Sequence, residues 1–172
     1  MTTKLNINCL NTQSVTDFTT ALADIYEHSA WIPERAAPDR PFDNVTQLHN
    51  AMVARLSLAS DEEKLGLLGA HPELAGKAAQ RGDLSNSSTS EQTCAKLDDL
   101  SSQEMAHITN LNKRYQIKFG FPFIIAVLKH NKDSIFSEFE RRVENDLKTE
   151  FNTALEQVNQ IAQLRLQNLL VQ

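Results

Sequence analysis

Cysteine, glycine and proline are scarce in this sequence: among 172 residues there are 2 Cys, 5 Gly and 5 Pro. Cys9 and Cys94 stand alone, without a Cys-x-x-Cys pair, so neither a disulfide framework nor a zinc site built on thiolates is expected. The low glycine and proline content excludes collagen-like and proline-rich arrays. We therefore expect a soluble protein from a reducing, cytoplasmic setting.

Basic residues are also fewer than acidic ones. The 17 Lys and Arg residues are outnumbered by 22 Asp and Glu residues, which gives a net charge of −5 at pH 7. A net acidic chain without a long Lys/Arg block is a poor candidate for binding nucleic-acid phosphates. The longest apolar runs, such as Phe121–Leu128, are too short to span a bilayer, and neither end resembles a secretory or peroxisomal signal. We expect no nucleic-acid and no membrane partner.

Hydrophobic residues make up 41% of the chain and recur mainly at helical spacing. Three Ser-x-x-Glu patterns, beginning at Ser60, Ser88 and Ser101, are typical of capping boxes at helix N-termini. Gly120 is expected to end one helix, and Pro122 to lie in the first turn of the next. The expected fold is all-α, a single-domain helical bundle covering residues 1–172. The pattern predicts helices at about Ser14–His28, from Asn44, from Ser60 to Gly69, from Ser101 to Gly120 and, as one or two helices, at Asp133–Leu170, with loops at Ile32–Phe42 and Arg81–Ser90.

His71 is the first of four candidate functional positions. It follows a predicted helix end, and Pro72 restricts it to an extended conformation. An imidazole fixed at such a junction is suited to exchanging protons near pH 7, but a capping or surface histidine would have the same spacing. The other four histidines form no His-x-x-x-His pair and no metal-like cluster, so no metal site is predicted.

The second candidate is the polar segment Ser88, Thr89, Ser90, Glu91 and Gln92. Read as a capping box, Glu91 would only accept a bond from the Ser88 amide. Read functionally, the segment is a polar cluster at a helix N-terminus, where backbone amides and the helix dipole favour an anion or a polar ligand. Both interpretations fit the spacing.

The third candidate is the segment after Pro122. A helix beginning there would leave unpaired backbone N–H groups facing a ligand, although three Phe around Gly and Pro could equally be plain core. The residues that would supply these donors are Phe123, Ile124, Ile125, Ala126 and Val127.

Arg165 is the fourth candidate. In the last predicted helix it falls beside an apolar stripe of Phe151, Leu155, Val158, Ala162 and Leu169. A charge in that position must snorkel to water, pair with an acid or bind something anionic. The planar guanidinium is suited to holding a carboxylate or a carbonyl oxygen with forked donors.

Five motifs occur together and in order along the chain. The motifs are Tyr26–Ile32, His71–Lys77, Ser88-x-x-Glu91-Gln92, Lys118–Ile124 and Ile161–Leu166. With them the chain resembles the 2-oxo-4-hydroxy-4-carboxy-5-ureidoimidazoline (OHCU) decarboxylases of urate breakdown. The resemblance runs from about Leu10 to Leu170, with departures at Cys94–Leu97 and Leu128–Asn131.

The resemblance implies an all-helical, cofactor-free lyase, usually a homodimer, that converts OHCU to (S)-allantoin and carbon dioxide. It assigns the catalytic histidine to His71, beside Pro72, and a catalytic arginine to Arg165. It assigns catalytic or substrate contacts to residues 88–92, Glu91 among them, and backbone contacts to residues 123–127. A helical interaction module would also have the apolar stripes, but its function would not require His71, Glu91 and Arg165 to converge in one pocket. A hydrolase finds no support, since there is no Gly-x-Ser-x-Gly elbow and no zinc motif.

Overall fold

A computed structural model describes residues 5–170, and the fold is all-α as predicted. Within those residues the extended pairing is limited to an isolated bridge between Leu5 and Leu170. Short 3-10 turns occupy Ala37–Asp39 and Val127–Lys129. The α-helices of the described residues are α1 (Ile7–Thr12), α2 (Val15–Ala21), α3 (Trp31–Ala36), α4 (Val45–Ser57), α5 (Asp61–Ala70), α6 (Lys77–Arg81), α7 (Asn86–Cys94), α8 (Ser102–Phe119), α9 (Lys132–Arg142) and α10 (Leu147–Leu169).

The chain forms two compact units, and each is described by itself. The first unit contains the described residues up to Leu67 together with those from Asn159 onward, and the second contains Leu68–Val158. The single domain over residues 1–172 stays a prediction.

The core of the first unit forms where α3 packs against α2 and α4. Phe18, Leu48 and Met52 are fully buried there, at the helical spacing that predicted them. Ser14 and Asn44 cap α2 and α4 by accepting bonds from backbone amides of the first turns.

An aromatic cluster forms the core of the second unit. Tyr115 makes edge contacts with the rings of Phe121, Phe123 and Phe139, at centroid distances of 5.9, 5.4 and 5.8 Å. Phe123 stacks on Phe139 with centroids 3.9 Å apart. The α8 helix and the segment after it therefore share one apolar core.

A buried ion pair lies beside this cluster. The guanidinium of Arg142 donates to Glu150 Oε1 from Nε at 2.9 Å and from Nη2 at 2.5 Å, and both side chains are almost fully buried. Tyr115 also donates to Glu150, and Arg142 Nη1 donates to the carbonyl oxygen of Ile124 at 2.8 Å. The pair thereby fixes the backbone of the segment between α8 and α9.

Two predictions in the first unit were wrong. The helix expected over Ser14–His28 ends at Ala21, and the loop expected over Ile32–Phe42 contains most of α3. The helix ends because the C-cap residue Leu22 leaves the helical conformation, with a φ of −109° and a ψ of 7°. Pro33 did not prevent α3 because it lies in the first turn, where no backbone donor is required.

Three predictions in the second unit were also wrong, and they concern candidate functional segments. The N-cap of α7 is Ser85, which accepts from the Ser88 amide at 3.2 Å, so Ser88 lies inside the helix and not at a capping box, and the loop expected over Arg81–Ser90 contains the start of α7. Residues 121–126 are not helical despite Pro122. Their backbone groups bond to distant side chains, among them Arg142 and Gln157.

Several helix boundaries were predicted correctly. Reciprocal bonds between Ser60 and Glu63 and between Ser101 and Glu104 confirm two of the three capping boxes. Gly120 ends α8 with a left-handed φ of 79°, and the last predicted segment divides into α9 and α10.

Candidate active site

His71 lies directly after the end of α5. Its backbone amide donates to the carbonyl oxygen of Leu68 at 3.3 Å, which continues the last helical turn, and the residue is only 8% exposed. The predicted helix junction is therefore present, and the surface-histidine interpretation is wrong. Pro72, which is half-buried, follows and restricts the backbone at this point.

The buried face of α7 carries part of the predicted polar segment. Ser88 and Gln92 are one helical turn apart and are both buried, and Glu91 is half-buried on the same side. Thr89 and Ser90 are exposed. Three of the residues in this segment therefore share one face of the helix, and two do not.

The side chain of Gln92 connects α7 to the loop that carries His71. Its Oε1 accepts a hydrogen bond from the backbone amide of Ala75 at 3.0 Å. This bond fixes the orientation of the side-chain amide, so the group that Gln92 can offer another partner is the Nε2 donor.

A cavity of about 330 Å³ is lined by Ala75, Thr89 and Gln92 among others, whereas His71 and Ser88 are not among its lining residues.

The segment from Phe123 to Val127 is buried, with exposed fractions of 1% to 5%. The α7 helix packs against the 3-10 turn that begins at Val127, so this segment ends beside α7. The amide of Ala126 donates to Gln157 Oε1 at 3.0 Å. The backbone donors in this segment therefore come from an irregular stretch and not from the start of a helix, and one of them already has a side-chain acceptor.

Arg165 belongs to the first unit and pairs with an acid. Its Nη1 donates to Glu27 Oε2 at 2.9 Å and to the carbonyl oxygen of Asp24 at 3.1 Å. Both partners of the ion pair are buried, with side chains 6% and 4% exposed. Snorkelling to water is therefore the wrong interpretation of this residue.

The apolar stripe of α10 differs in part from the prediction. Val158 and Ala162 are buried as expected, whereas Leu169 is exposed. The buried face includes Ile161 and Leu166, so Arg165 lies within it and not at its margin.

Sequence reasoning missed Glu27 and Asn112 as buried polar groups. Glu27 lies in a motif that the resemblance used, but nothing nearby in the sequence identifies its partner 138 residues away. From the sequence, Asn112 resembles an ordinary polar residue of an amphipathic helix. In the structure it is 6% exposed and donates a hydrogen bond to the Leu74 carbonyl.

Two negative findings apply to residues 5–170. They contain no group of three or more His, Cys, Asp or Glu side chains arranged to hold a metal ion. None of their helices is both long and apolar enough to cross a bilayer.

Comparison with known proteins identifies the family. The model of the OHCU decarboxylase family matches residues 11–167. The chain is 42% identical over 163 residues to an OHCU decarboxylase of Haloferax volcanii, and the match covers 95% of each chain. It is 38% identical to the uric acid degradation bifunctional protein of a Bacillus species, of which it spans 32%.

Solved structures agree with the fold. A crystal structure of (S)-allantoin synthase superposes with a TM-score of 0.78 at 30% identity, covering 96% of this chain and 54% of that one. A structure of OHCU decarboxylase in the presence of (S)-allantoin superposes with a TM-score of 0.70, at an identity of 19% that shows the fold alone.

The fold and these matches define the class of protein: an all-α decarboxylase, and therefore an enzyme that cleaves a carbon–carbon bond. Within that class, the chain belongs to the OHCU decarboxylase family.

Proposed function

We propose that this enzyme decarboxylates OHCU to (S)-allantoin and carbon dioxide without a cofactor, with His71 as the general acid. The observation that carries the proposal is the burial of His71 at the end of α5, in the same compact unit as the polar face of α7. The near full-length similarity to a named OHCU decarboxylase supports the choice of substrate.

The chemistry of the substrate explains why no cofactor is required. The carboxylate of OHCU is attached to a carbon adjacent to a C=N bond. When the bond to the carboxylate breaks, carbon dioxide leaves and the electron pair moves into the imine, so the substrate supplies its own electron sink. The protein must orient the carboxylate out of the ring plane, stabilise the charge that develops on the ring and deliver a proton to one face.

Most of the candidate residues have a role in this scheme. His71 donates the proton, and Glu91 favours the imidazolium form if the two side chains are close. Gln92 contacts a substrate carbonyl through Nε2, because its oxygen is bonded to Ala75, and Ser88 contacts the ureido or ring amides. Arg165 binds a carbonyl or carboxylate oxygen with forked donors.

Backbone amides among Phe123, Ile124, Ile125 and Val127 hold a ring oxygen in the same scheme. Ala126 belonged to this predicted set, but its amide is bonded to Gln157, so we assign it no substrate contact. Pro72 restricts the backbone beside His71. The exposed side chains of Thr89 and Ser90 have no assigned contact in this proposal.

We expect His71→Ala to abolish catalysed decarboxylation and leave the helical fold intact. The measurements are the loss of OHCU, the optical activity of the allantoin formed and the circular dichroism of the variant. The assays contain a chelator, because the proposed reaction uses no metal. His107→Asn is the matched control, since His107 is an exposed histidine of the same unit.

Formation of one allantoin enantiomer at the wild-type rate by His71→Ala would remove His71 from the mechanism. Loss of activity in chelator, restored by one divalent ion, would contradict the cofactor-free reaction. The homodimer implied by the family resemblance stays a prediction, as does the cytoplasmic setting inferred from the scarce cysteines.

A further inference from the structure

The turn at Leu74 and Ala75 is held by side-chain amides from three different helices. Asn112 Nδ2 of α8 donates to the Leu74 carbonyl at 2.9 Å, and Gln92 Oε1 of α7 accepts from the Ala75 amide at 3.0 Å. Gln80 Nε2 of α6 donates to the Ala75 carbonyl at 3.1 Å. Three consecutive polar groups of the backbone therefore bond to side chains. We call this arrangement the amide clamp: Asn112, Gln92 and Gln80.

The backbone at this turn requires such support. Ala75 has a φ of 48°, a left-handed conformation that is costly for any residue with a Cβ atom. Leu74 and Ala75 are also buried, so their polar backbone groups must find partners inside the protein. The amide clamp supplies these partners and favours one conformation of the turn.

Within the amide clamp, the Asn112 side chain contributes one hydrogen bond, from its Nδ2 to the Leu74 carbonyl. It lies on the buried face of α8, among Ile108, Leu111 and Tyr115, and is 6% exposed. Its Oδ1 is buried and makes no hydrogen bond within residues 5–170. Burying an acceptor in this way opposes folding, so an apolar residue would serve packing better. The useful part of the side chain is the donor that reaches Leu74.

We propose that Asn112 is a positioning residue that fixes His71 by holding the Leu74 carbonyl. Only Pro72 and Glu73 separate His71 from Leu74, and the proline ring removes much of the freedom of that link. The backbone that carries the imidazole is therefore anchored by the end of α5 on one side and by the amide clamp on the other. The catalytic consequence of this role rests on the proposed function, in which His71 donates the proton.

Two substitutions separate the donor from the shape of the side chain. Asn112→Leu removes the donor and the buried acceptor together, and Asn112→Asp keeps the shape but replaces the donor with a carboxylate. Asn110→Asp is the matched control, because Asn110 is exposed on the same helix. We expect both Asn112 variants to lower kcat with little change in KM. A catalytic group displaced by about 1 Å loses on the order of a hundredfold in rate.

The pH dependence of Asn112→Asp provides a signature that a loss of packing would not give. The introduced carboxyl, once protonated, regains an O–H that donates to the Leu74 carbonyl. The ratio of its kcat to that of the wild type should therefore rise as the pH falls and the carboxyl gains its proton, and burial should place this recovery above the ordinary pKa of an aspartic acid, about 4. The same ratio for Asn112→Leu should stay constant. Thermal melts at each pH restrict the comparison to folded protein.

A structural measurement keeps this proposal distinguishable from the proposed function. Hydrogen exchange at the Ala75 amide and the NMR signals of the His71 ring report the turn without any turnover. Faster exchange and shifted ring signals in both Asn112 variants, but not in Asn110→Asp, would support positioning even if His71→Ala remained active. In that case the proposed function alone would fail.

Unchanged exchange, unchanged ring signals and wild-type kcat in the Asn112 variants would overturn the positioning role. A fall in kcat that follows the thermal melt and shows no recovery at low pH would also overturn it, because Asn112 would then be a packing residue. If Asn112→Leu does not fold, Asn112→Asp at low pH carries the test.

Discussion

At the scale of single residues, Arg165 allows a direct test of binding against packing. Lys keeps the charge but cannot reproduce the planar fork of donors. If Arg165 holds a substrate oxygen, Arg165→Lys should lower the affinity for allantoin. A lost charge-assisted hydrogen bond is worth about 1.5–3 kcal/mol, so the affinity should fall roughly tenfold to a hundredfold. Calorimetric titration with allantoin measures this effect.

Glu27→Gln is the comparison variant for Arg165→Lys. It removes the charge of the buried partner while Arg165 keeps its own guanidinium. Removing one partner of a buried pair costs about 3–5 kcal/mol, which a thermal melt detects. If Arg165→Lys lowers the melting temperature as Glu27→Gln does and still binds allantoin normally, Arg165 is structural.

The residue scale also shows where sequence reasoning stops. The spacing of α10 predicted that Arg165 would face an apolar interior, because helical periodicity is local information. It could not name Glu27, since that contact joins positions 138 residues apart. For the same reason Asn112 was not recognised, because its carbonyl partner is 38 residues away.

At the scale of elements, the C-terminal end of α7 contains a non-glycine residue in a strained left-handed conformation, which a glycine would relieve. The amide of Leu97 donates to the Gln92 carbonyl and that of Lys96 to the Thr93 carbonyl, each at 3.0 Å, which is the Schellman pattern. This motif places Lys96 at a φ of 58°, where glycine is preferred. The departure from the family noted at Cys94–Leu97 therefore concerns how a helix ends.

We expect Lys96→Gly to raise the free energy of unfolding by about 1 kcal/mol, because glycine adopts the left-handed conformation without a Cβ clash. Denaturant unfolding measures the change. Lys96→Ala is the control and should give no gain, since alanine keeps the Cβ atom. Equal stability of the two variants would show that the left-handed position is not strained.

The helix boundaries show which local rules are sufficient. The capping boxes at Ser60 and Ser101 formed because each has one candidate serine in the correct register with a glutamate. At α7 Ser88 is likewise in register with Glu91, yet the helix begins one turn earlier with Ser85 as its N-cap, a choice that the local rule does not predict. The helix expected at Pro122 did not form because distant side chains bond the backbone of that segment.

At the scale of the whole molecule, the tyrosines predict how the protein unfolds in alkali. Burial raises the pKa of both Tyr26 and Tyr115, and the bond to Glu150 raises the pKa of Tyr115 further. A raised pKa in the folded state contributes stability that is fully present below the unfolded value of about 10 and is lost as the pH rises above it. Since the chain has only 2 Tyr, no exposed phenol masks this behaviour.

We therefore expect the ultraviolet absorbance of tyrosinate to appear in one cooperative step above pH 10, together with the loss of the helical circular dichroism signal. Tyr26→Phe should shift this unfolding to higher pH. Gradual ionisation centred near pH 10 in a fully helical protein would contradict the burial of these phenols.

The fold class was predictable at this scale because the 3.6-residue period of apolar positions extends along most of the chain. The division into two compact units was not. It falls at Leu67 and at Val158, where no proline-rich or serine-rich stretch marks a boundary. The boundaries of a compact unit depend on long-range packing, so they cannot be predicted from local composition.

The buried pair of Arg142 and Glu150 has a consequence for how sequences of this kind can diverge. The loss of either residue alone leaves an uncompensated charge in the interior, at a cost of about 3–5 kcal/mol, while exchange of both for apolar residues is often tolerated. Substitutions at the two positions should therefore be inherited together. Because Arg142 also bonds the Ile124 carbonyl, a lineage that exchanged the pair would need a new donor for that carbonyl before the change could persist.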